Sequence, residues 1–551
     1  MSPAATTSSR PDEAIDPQGM KVIWLLLVAA FVAILNETTM GIAVPDLNRD
    51  LGLDPELGQW LTSAFMLTMA VVIPTTGFVL ERFTTRQVFL AASSLFALGT
   101  LICLVAPGFP LLLTGRVVQA TGTGIMLPLL MTTIMNVVPP GSRGRMMGLV
   151  GMVISLAPAI GPTLSGAVLE ALSWRWLFAI VLPIALVSLF LGARWMTNLG
   201  ETSRPSFDPL SVVLTALGFG GTVFALSQFA AEGEAGLAAR VGMSTTGFAL
   251  TILAVGLVVL ALFVWRQLAL QRSDRALLDL RVFTSRNFTV AVAIMAIVAL
   301  AMFGTLNLLP LFLRDVAQLD ALQSGLVLLP GSLVMGLLAP VIGRAYDARG
   351  PRALLVPGTT LLTAGLLFYG TIGQATPVWL IVVVQTGISL GLAMSFTPLF
   401  SASLGSLPRA LYPHGSAVLN TLQQVAGAAG VAVLVGLYSA VLGAGTDDGL
   451  PKAAAGEPGA QTGFLVASGF ALVAAVLAWF IRTPTDQEEH DDAGRGEGSP
   501  IAEGGPAPTT GPAGNADVPH GPTDRARADR PRDPTDRGPA DERHVPADVV
   551  G

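Results

Sequence analysis

Cysteine, histidine and charged residues are all scarce in this chain of 551 residues. A single cysteine, Cys103, excludes an internal disulfide framework. Only one of the four histidines, His414, precedes residue 482. The chain therefore has too few histidines outside its tail for a typical histidine metal site or a nucleophile–His pair. Charged residues make up 12% of the chain, well below the share in soluble proteins. Together these shortages exclude a soluble globular protein and predict no metal site.

Hydrophobic residues are abundant, at 52% of the chain with a mean hydropathy of +0.65. Such a composition is typical of an integral membrane protein whose main partner is the lipid bilayer. Fourteen apolar stretches reach the roughly 20 residues that a helix needs to cross a bilayer. They lie near 22–44, 57–80, 86–106, 110–135, 146–169, 176–196, 209–229, 242–265, 287–312, 322–342, 353–373, 378–400, 415–442 and 462–481.

Fourteen crossings place both termini on one side of the membrane, and the distribution of positive charge indicates which side. Loops on the side of the termini carry fifteen Lys and Arg residues, whereas the opposite loops carry five. Under the positive-inside rule this asymmetry predicts a plasma-membrane protein with both termini in the cytoplasm.

The two ends of the chain are polar. Residues 1–19 predict a disordered cytoplasmic N-terminus. Residues 482–551 contain 15 acidic and 8 basic residues with many Pro and Gly, which predicts a disordered acidic tail. Because the tail accounts for the net charge of −6, that charge carries no information about the substrate. We predict no nucleic-acid partner.

A short charged loop occurs twice, at 77–86 and at 343–352, related by a shift of 266 residues. Each copy has a glycine, an acid four residues later (Glu81 or Asp347) and a base nine residues later. We expect the acid to accept hydrogen bonds from a neighbouring helix N-terminus and the base to face anionic headgroups. The repeat predicts two homologous membrane halves. The loop residues assigned to a conformational switch are Gly77, Glu81, Arg82, Arg86, Gly343, Asp347, Arg349 and Arg352.

Two charged residues fall inside predicted spans, Glu37 in the first helix and Arg116 in the fourth. A charge there costs at least ~2.5 kcal/mol on insertion scales, so each is a functional candidate. Both lie at a similar depth from the outer helix ends, which predicts that they pair directly or through water or a bound ligand. We assign them to proton coupling. The second half has Val382 at the position equivalent to Arg116.

The repeated loop resembles the loop between helices 2 and 3 of the major facilitator superfamily, although Glu81 and Thr84 replace an Asp and a Gly of that pattern. Residues 116–124 resemble the family's helix 4 motif. Residues 157–166 resemble the antiporter signature of its drug exporters. Residues 20–481 as a whole resemble its fourteen-helix drug:proton antiporter subfamily, in which an Asp usually stands at the position of Asn36. The antiporter-motif residues carried over are Pro158, Gly161, Pro162 and Gly166.

The resemblance implies an all-α integral membrane protein with the major facilitator fold. It implies an N-terminal six-helix bundle at 20–200, two extra central helices at 201–281 and a C-terminal six-helix bundle at 282–481. Amide side chains among Met and aromatic residues suit a cavity for amphipathic small molecules, and suit ordinary packing almost as well. The candidate cavity residues are Asn36, Gln119, Asn307, Gln385, Asn420 and Gln424.

The leading functional hypothesis is a proton-coupled secondary active exporter of drug-like or antibiotic molecules, functional as a monomer, without a cofactor. No phosphate-binding Gly-rich motif supports an ATP-driven pump. Proton-linked uptake or facilitated transport of a metabolite is an alternative, which the antiporter signature disfavours. A polytopic membrane enzyme usually needs clustered His or acidic residues, which this chain lacks. A sensor with the tail as its output is a further alternative.

Overall fold

The computed structural model describes residues 17–53, 55–198, 208–230, 243–273 and 275–482. Every long regular element in these ranges is a helix. The polar tail and most of the polar N-terminus, both predicted to be disordered, lie outside the described residues. The first six helices are α1 Pro17–Leu51, α2 Pro55–Arg82, α3 Thr85–Val105, α4 Phe109–Val137, α5 Arg143–Ala171 and α6 Arg175–Trp195.

Two helices follow in the middle of the chain. Helix α7 covers 209–230 and contains one π-helical turn at Ala216–Gly220, and α8 is Thr245–Gln271. A short linker with a 3₁₀ turn at Leu280–Thr284 then leads to the last six helices. These are α9 Arg286–Asp315, α10 Ala321–Arg349, α11 Arg352–Tyr369, α12 Val378–Gly405, α13 Tyr412–Asp447 and α14 Lys452–Ala478.

The number of helices agrees with the predicted fourteen crossings. Within the described ranges, thirteen helices are long and apolar enough to cross a membrane, and α5 is a fourteenth helix of 29 residues. Several helices are longer than predicted. Helix α14 begins at Lys452 rather than 462, and α1 continues to Leu51 rather than 44. Hydropathy detects only the lipid-embedded part, whereas backbone hydrogen bonding continues into the polar turns beyond it.

The first and last six helices repeat the same packing. Helix α1 packs on α4, α5 and α6, and α9 packs in the same way on α12, α13 and α14. Helix α3 contacts α4 and α6, as α11 contacts α12 and α14. The two groups meet along two seams, α5 against α10 and α2 against α13. Helix α7 packs on both α13 and α2, and α8 packs on α7, so the extra pair covers the α2–α13 seam.

Both seams are closed at the end of the bundle where α1 begins and α14 ends, which we call the terminal end. At the α5–α10 seam a Cβ on Gly343 would collide with the backbone of Gly144, so the helices touch there because Gly343 has no side chain. Near the α2–α13 seam the Thr132 hydroxyl on α4 lies 3.0 Å from the Ser416 hydroxyl on α13. The structure therefore represents a conformation closed at its terminal end.

Candidate functional site

A buried polar cluster surrounds Arg116 in the N-terminal half. Arg116, Asn36 and Gln119 are each at most 1% exposed. The Nη1 of Arg116 donates to Asn36 Oδ1 at 3.0 Å and to Gln119 Oε1 at 2.7 Å, and its Nε donates to the Leu61 carbonyl at 3.4 Å. Helices α1, α2 and α4 thus each contribute an acceptor to one guanidinium, which is how a buried cation is tolerated.

The cluster leaves one guanidinium nitrogen, with two N–H groups, unused. The Arg116 plane lies over the Phe65 ring, with Cζ 4.1 Å from the ring centroid, a cation–π contact. Its Nη2 is buried and has no hydrogen-bond partner among the described residues. Gln119 donates from Nε2 to the Thr100 hydroxyl at 2.7 Å, which orients its amide oxygen toward Arg116. The arrangement suits an additional acceptor, such as a water, a carboxylate or a polar substrate group.

The predicted direct pair between Glu37 and Arg116 is not found. Arg116 bonds instead to Asn36, one residue earlier on α1. One step along a helix turns the side chain by about 100°, so Asn36 and Glu37 leave α1 in different directions. Glu37 is half-buried, and no described residue forms a hydrogen bond or ion pair with its carboxyl group. The two side chains make no direct bond in this conformation, and their pairing through water or a bound ligand stays a prediction.

The antiporter-motif segment of α5 lies against the same part of α1. A Cβ on Gly161 would collide with the Thr38 hydroxyl, next to Glu37. One turn later Ser165 donates to the Thr39 carbonyl at 3.0 Å. Gly166 faces open space. Pro158 and Pro162 lie in the same continuous helix, and a bend at these prolines stays a prediction.

The candidate cavity residues of the C-terminal half form no hydrogen bonds with each other in the described part of the chain. Gln385 is buried and its Oε1 accepts from the Tyr369 hydroxyl at 3.1 Å. Asn307 donates to the Phe303 carbonyl of its own helix at 2.8 Å, and Asn420 donates to the Ser416 carbonyl at 2.8 Å. Gln424 is half-buried. Substrate contact by these amides stays a prediction.

The acids of the two repeated loops both bridge the halves, in different ways. Asp347 at the end of α10 accepts from the backbone N–H groups of Gly144 at 2.7 Å and Arg145 at 2.8 Å. The predicted contact with a helix N-terminus is therefore present at α5. Glu81 instead lies 3.1 Å from the imidazole Nε2 of His414 on α13. The sequence alone predicts no role for His414, although it is the single histidine that precedes residue 482.

The basic residues of the two loops contact other groups than those that join the halves through Asp347 and Glu81. Arg86 donates to the Ala193 carbonyl near the end of α6 at 2.8 Å. Its equivalent Arg352 lies over the Trp479 ring just after α14, 5.1 Å from the centroid. Each base thus ties the third helix of its half to the sixth, and its contact with lipid headgroups stays a prediction. Arg82 and Arg349 are exposed at the ends of α2 and α10.

Comparison with known proteins gives a consistent result. The Major Facilitator Superfamily profile matches residues 26–431. The chain is 40% identical over 473 residues to the uncharacterized MFS-type transporter YcnB of Bacillus subtilis, covering 86% of this chain and 97% of that protein. It is 39% identical over 419 residues to the lincomycin resistance protein LmrB of Listeria monocytogenes, covering 76% and 86%.

A solved structure supports the fold independently. The human organic anion transporter MFSD10 superposes with a TM-score of 0.56 at 16% identity, covering 84% of this chain and all of that one. At this identity the likeness shows the fold alone. The profile match and the relatives, together with the two similarly packed groups of six helices, lead to one assignment. The chain belongs to the Major Facilitator Superfamily and is a multi-pass membrane transporter rather than an enzyme.

Proposed function

We propose that the protein is a proton-coupled antiporter that exports drug-like or antibiotic molecules across the plasma membrane, with both termini in the cytoplasm. Its relative LmrB is named for lincomycin resistance, which supports export of such compounds. The excess of positively charged residues in the loops at the terminal end supports the orientation.

The observation that carries the proposal is the state of Glu37. Glu37 is a half-buried residue within a membrane-spanning helix, and no described side chain or backbone N–H binds its carboxyl group. An ionised carboxylate in that position costs at least ~2.5 kcal/mol, so it needs a proton, a cationic group of the substrate or ordered water. A group that takes a proton and a substrate in turn exchanges one for the other, which is antiport.

Arg116 has a supporting role in this scheme. Its charge sits beside Asn36, the residue before Glu37, and therefore favours the ionised form of a nearby carboxyl group. The buried Nη2 has no hydrogen-bond partner among the described residues. Its N–H groups can therefore donate to water or to a polar group of the substrate. We propose that the proton leaves Glu37 when substrate or water can reach this donor.

Because the terminal end is closed, transport requires a conformational change that opens it. In this conformation Asp347 binds the first turn of α5 and His414 binds Glu81, so both seams are closed on the proposed cytoplasmic side. Uptake of substrate from the cytoplasm requires these contacts to separate. We propose that the six-helix groups at 20–200 and 282–481 move as two halves about the central site.

Transport in proteoliposomes with an imposed pH gradient tests the proposal. Vesicles that are acidic inside should accumulate labelled lincomycin, and an ionophore that collapses the gradient should abolish accumulation. Protein-free liposomes measure passive trapping of this weak base. Accumulation in alkaline-inside vesicles would instead support proton-linked uptake, and equilibration indifferent to the gradient would support facilitated transport. A panel of antibiotics in a strain lacking its own efflux systems tests other substrates if lincomycin is inert.

A further inference from the structure

The α2–α13 seam is bridged at the terminal end by the imidazole of His414. The side chain is 5% exposed, and its Nε2 lies 3.1 Å from Glu81 Oε2 on α2. Its Nδ1 accepts a hydrogen bond from the backbone N–H of Asp279 at 3.3 Å. Gly77 makes room for the ring, because a Cβ there would lie 2.7 Å from Nδ1. One side chain thus joins α13, α2 and the linker that follows α8.

The two contacts determine which nitrogen carries the proton. A backbone N–H only donates, so Nδ1 must present its lone pair to Asp279. The proton of the neutral ring then lies on Nε2 and is donated to the Glu81 carboxylate. His414 therefore acts as an acceptor toward the linker and as a donor toward α2 at the same time.

The other seam achieves its closure without a side-chain donor. Asp347, the equivalent of Glu81 in the second repeat, accepts from two backbone N–H groups in the first turn of α5. The second residue of α13 is Pro413, which has no N–H to donate. The His414 side chain, one position further along, supplies a donor to Glu81 in this turn.

The extra helices position the linker that contacts His414. Gln267 on α8 is fully buried, and its Oε1 accepts from the N–H groups of Leu277 at 2.7 Å and Leu278 at 3.2 Å. Its Nε2 donates to the Ser211 hydroxyl on α7 at 2.8 Å. The two residues before Asp279 are therefore fixed by α7 and α8.

An ion pair at the same end holds α7 to α8. Arg266 donates through Nε and Nη2 to the two carboxylate oxygens of Asp208, each at 2.9 Å, and Ser211 bonds to the same carboxylate. The hydrogen bond from Arg266 lowers the pKa of the Asp208 carboxyl, which keeps it ionised at neutral pH. Hydrogen bonds thus run from the extra helices through the linker to His414 and Glu81.

We propose that His414 is a positioning residue that latches the α2–α13 seam at the terminal end, and that the extra helices α7 and α8 orient this latch through the Asp279 amide. The two central helices would then stabilise the closed state of one gate. The inference does not depend on proton coupling, so failure of the Glu37 assignment leaves it intact.

Spin-label distances across each seam test the latch. In a Cys103→Ser background, labels at the exposed Phe83→Cys and Ala410→Cys positions report on the α2–α13 seam. Labels at the exposed Gly141→Cys and Ala348→Cys positions report on the α5–α10 seam. Loss of the Glu81 bond in His414→Leu should raise the open-to-closed ratio at the first pair about fivefold, the ratio expected for one hydrogen bond. His414→Gln keeps a donor for Glu81 and should show a smaller change.

A backbone substitution tests the contribution of the linker. Asp279 has φ −78°, which proline adopts, so Asp279→Pro removes the N–H with a compatible backbone angle. Asp279→Ala is the matched control, because it loses the same carboxylate but keeps the N–H. We expect a larger open fraction at the first pair in Asp279→Pro than in Asp279→Ala. Equal distance distributions in these two variants would overturn the linker's role. An unchanged distribution in folded His414→Leu, or equal opening in His414→Leu and His414→Gln, would overturn the latch.

Discussion

The two six-helix halves share their packing, but only the N-terminal half has a charge at its centre. Arg116 on α4 is fully buried and bonded to Asn36 and Gln119. At the equivalent positions of α12 stand Val382 and Gln385, and Gln385 bonds to the neutral Tyr369 hydroxyl. The helix arrangement therefore does not require the charge. The charge is tolerated because α1, α2 and α4 each contribute a hydrogen-bond acceptor to the guanidinium. A buried charge with several polar partners inside a membrane protein is expected at a functional site.

The largest effect should come from the unpaired acid of the charged half. Glu37→Gln keeps the size of the side chain but cannot release a proton, so we expect complete loss of gradient-driven export with folding retained. Exchange of labelled for unlabelled substrate, which needs no net proton movement, should survive. Glu170→Gln, an exposed acid at the outer end of α5, is the matched control and should transport normally. Normal gradient-driven export by Glu37→Gln would remove the proposed asymmetry between the halves.

The second-largest effect should come from removing the positive charge of Arg116. Arg116→Met removes the donor to Asn36 and Gln119, and each lost bond to a charged group is worth about 1.5–3 kcal/mol. We expect a strong loss of transport and a changed pH profile, because the charge of Arg116 acts on a nearby carboxyl group. Arg116→Lys keeps the charge and should retain part of the activity. An unchanged pH profile in Arg116→Met would show that Arg116 and Glu37 are uncoupled.

The reverse substitution in the neutral half provides the comparison. Val382→Arg places a cation one turn from Gln385, whose amide oxygen already accepts from Tyr369, and we expect lower thermal stability in detergent by about 2.5 kcal/mol. Val382→Met adds similar length without charge and should be close to wild type. Equal melting temperatures for these two variants would mean that the C-terminal half accommodates a buried charge as well as the N-terminal half does.

The equivalent glutamines should give a smaller, graded difference. Gln119→Leu removes an acceptor from a buried cation, a loss of about 1.5–3 kcal/mol, whereas Gln385→Leu removes a neutral hydrogen bond worth about 0.5–1.5 kcal/mol. Thermal unfolding of the two variants in the same detergent measures both. The comparison would fail if Gln385→Leu were the less stable variant.

Much of the fold could be predicted from the sequence because a bilayer imposes simple rules. Spans of about 20 apolar residues and the repeated loop were enough to predict fourteen helices and the contact of Asp347 with a helix N-terminus. Helix ends were less accurate, as at Lys452, since hydropathy does not report turns that continue into water.

The site itself was predicted only in part. Depth along the helices placed Arg116 and Glu37 at one level, but the rotation of each side chain about the helix axis depends on packing, and Arg116 meets Asn36 instead. His414 was missed because a single histidine has no sequence pattern. Its role depends on the preceding Pro413, which has no N–H, and on its hydrogen bond with the linker residue Asp279, 135 residues away in the chain.

Substitution of the basic loop residues Arg86 and Arg352 should have the smallest effects, and these should be similar in the two halves. Arg86 donates to one backbone carbonyl of α6 and Arg352 stacks on Trp479, both at exposed positions. A hydrogen bond or a cation–π contact at such sites contributes about 0.5–1 kcal/mol. Arg86→Ala and Arg352→Ala should therefore lower the melting temperature slightly and to a similar extent. With these contacts inside one half, we expect little change in transport, in contrast to the assignment of both arginines to the conformational switch. Because each base ties the third helix to the sixth within one half, neither substitution should change the spin-label distances across the seams. A seam that opened in either variant would show that the base takes part in gating, and an effect confined to Arg86→Ala would extend the asymmetry of the buried core to the loops.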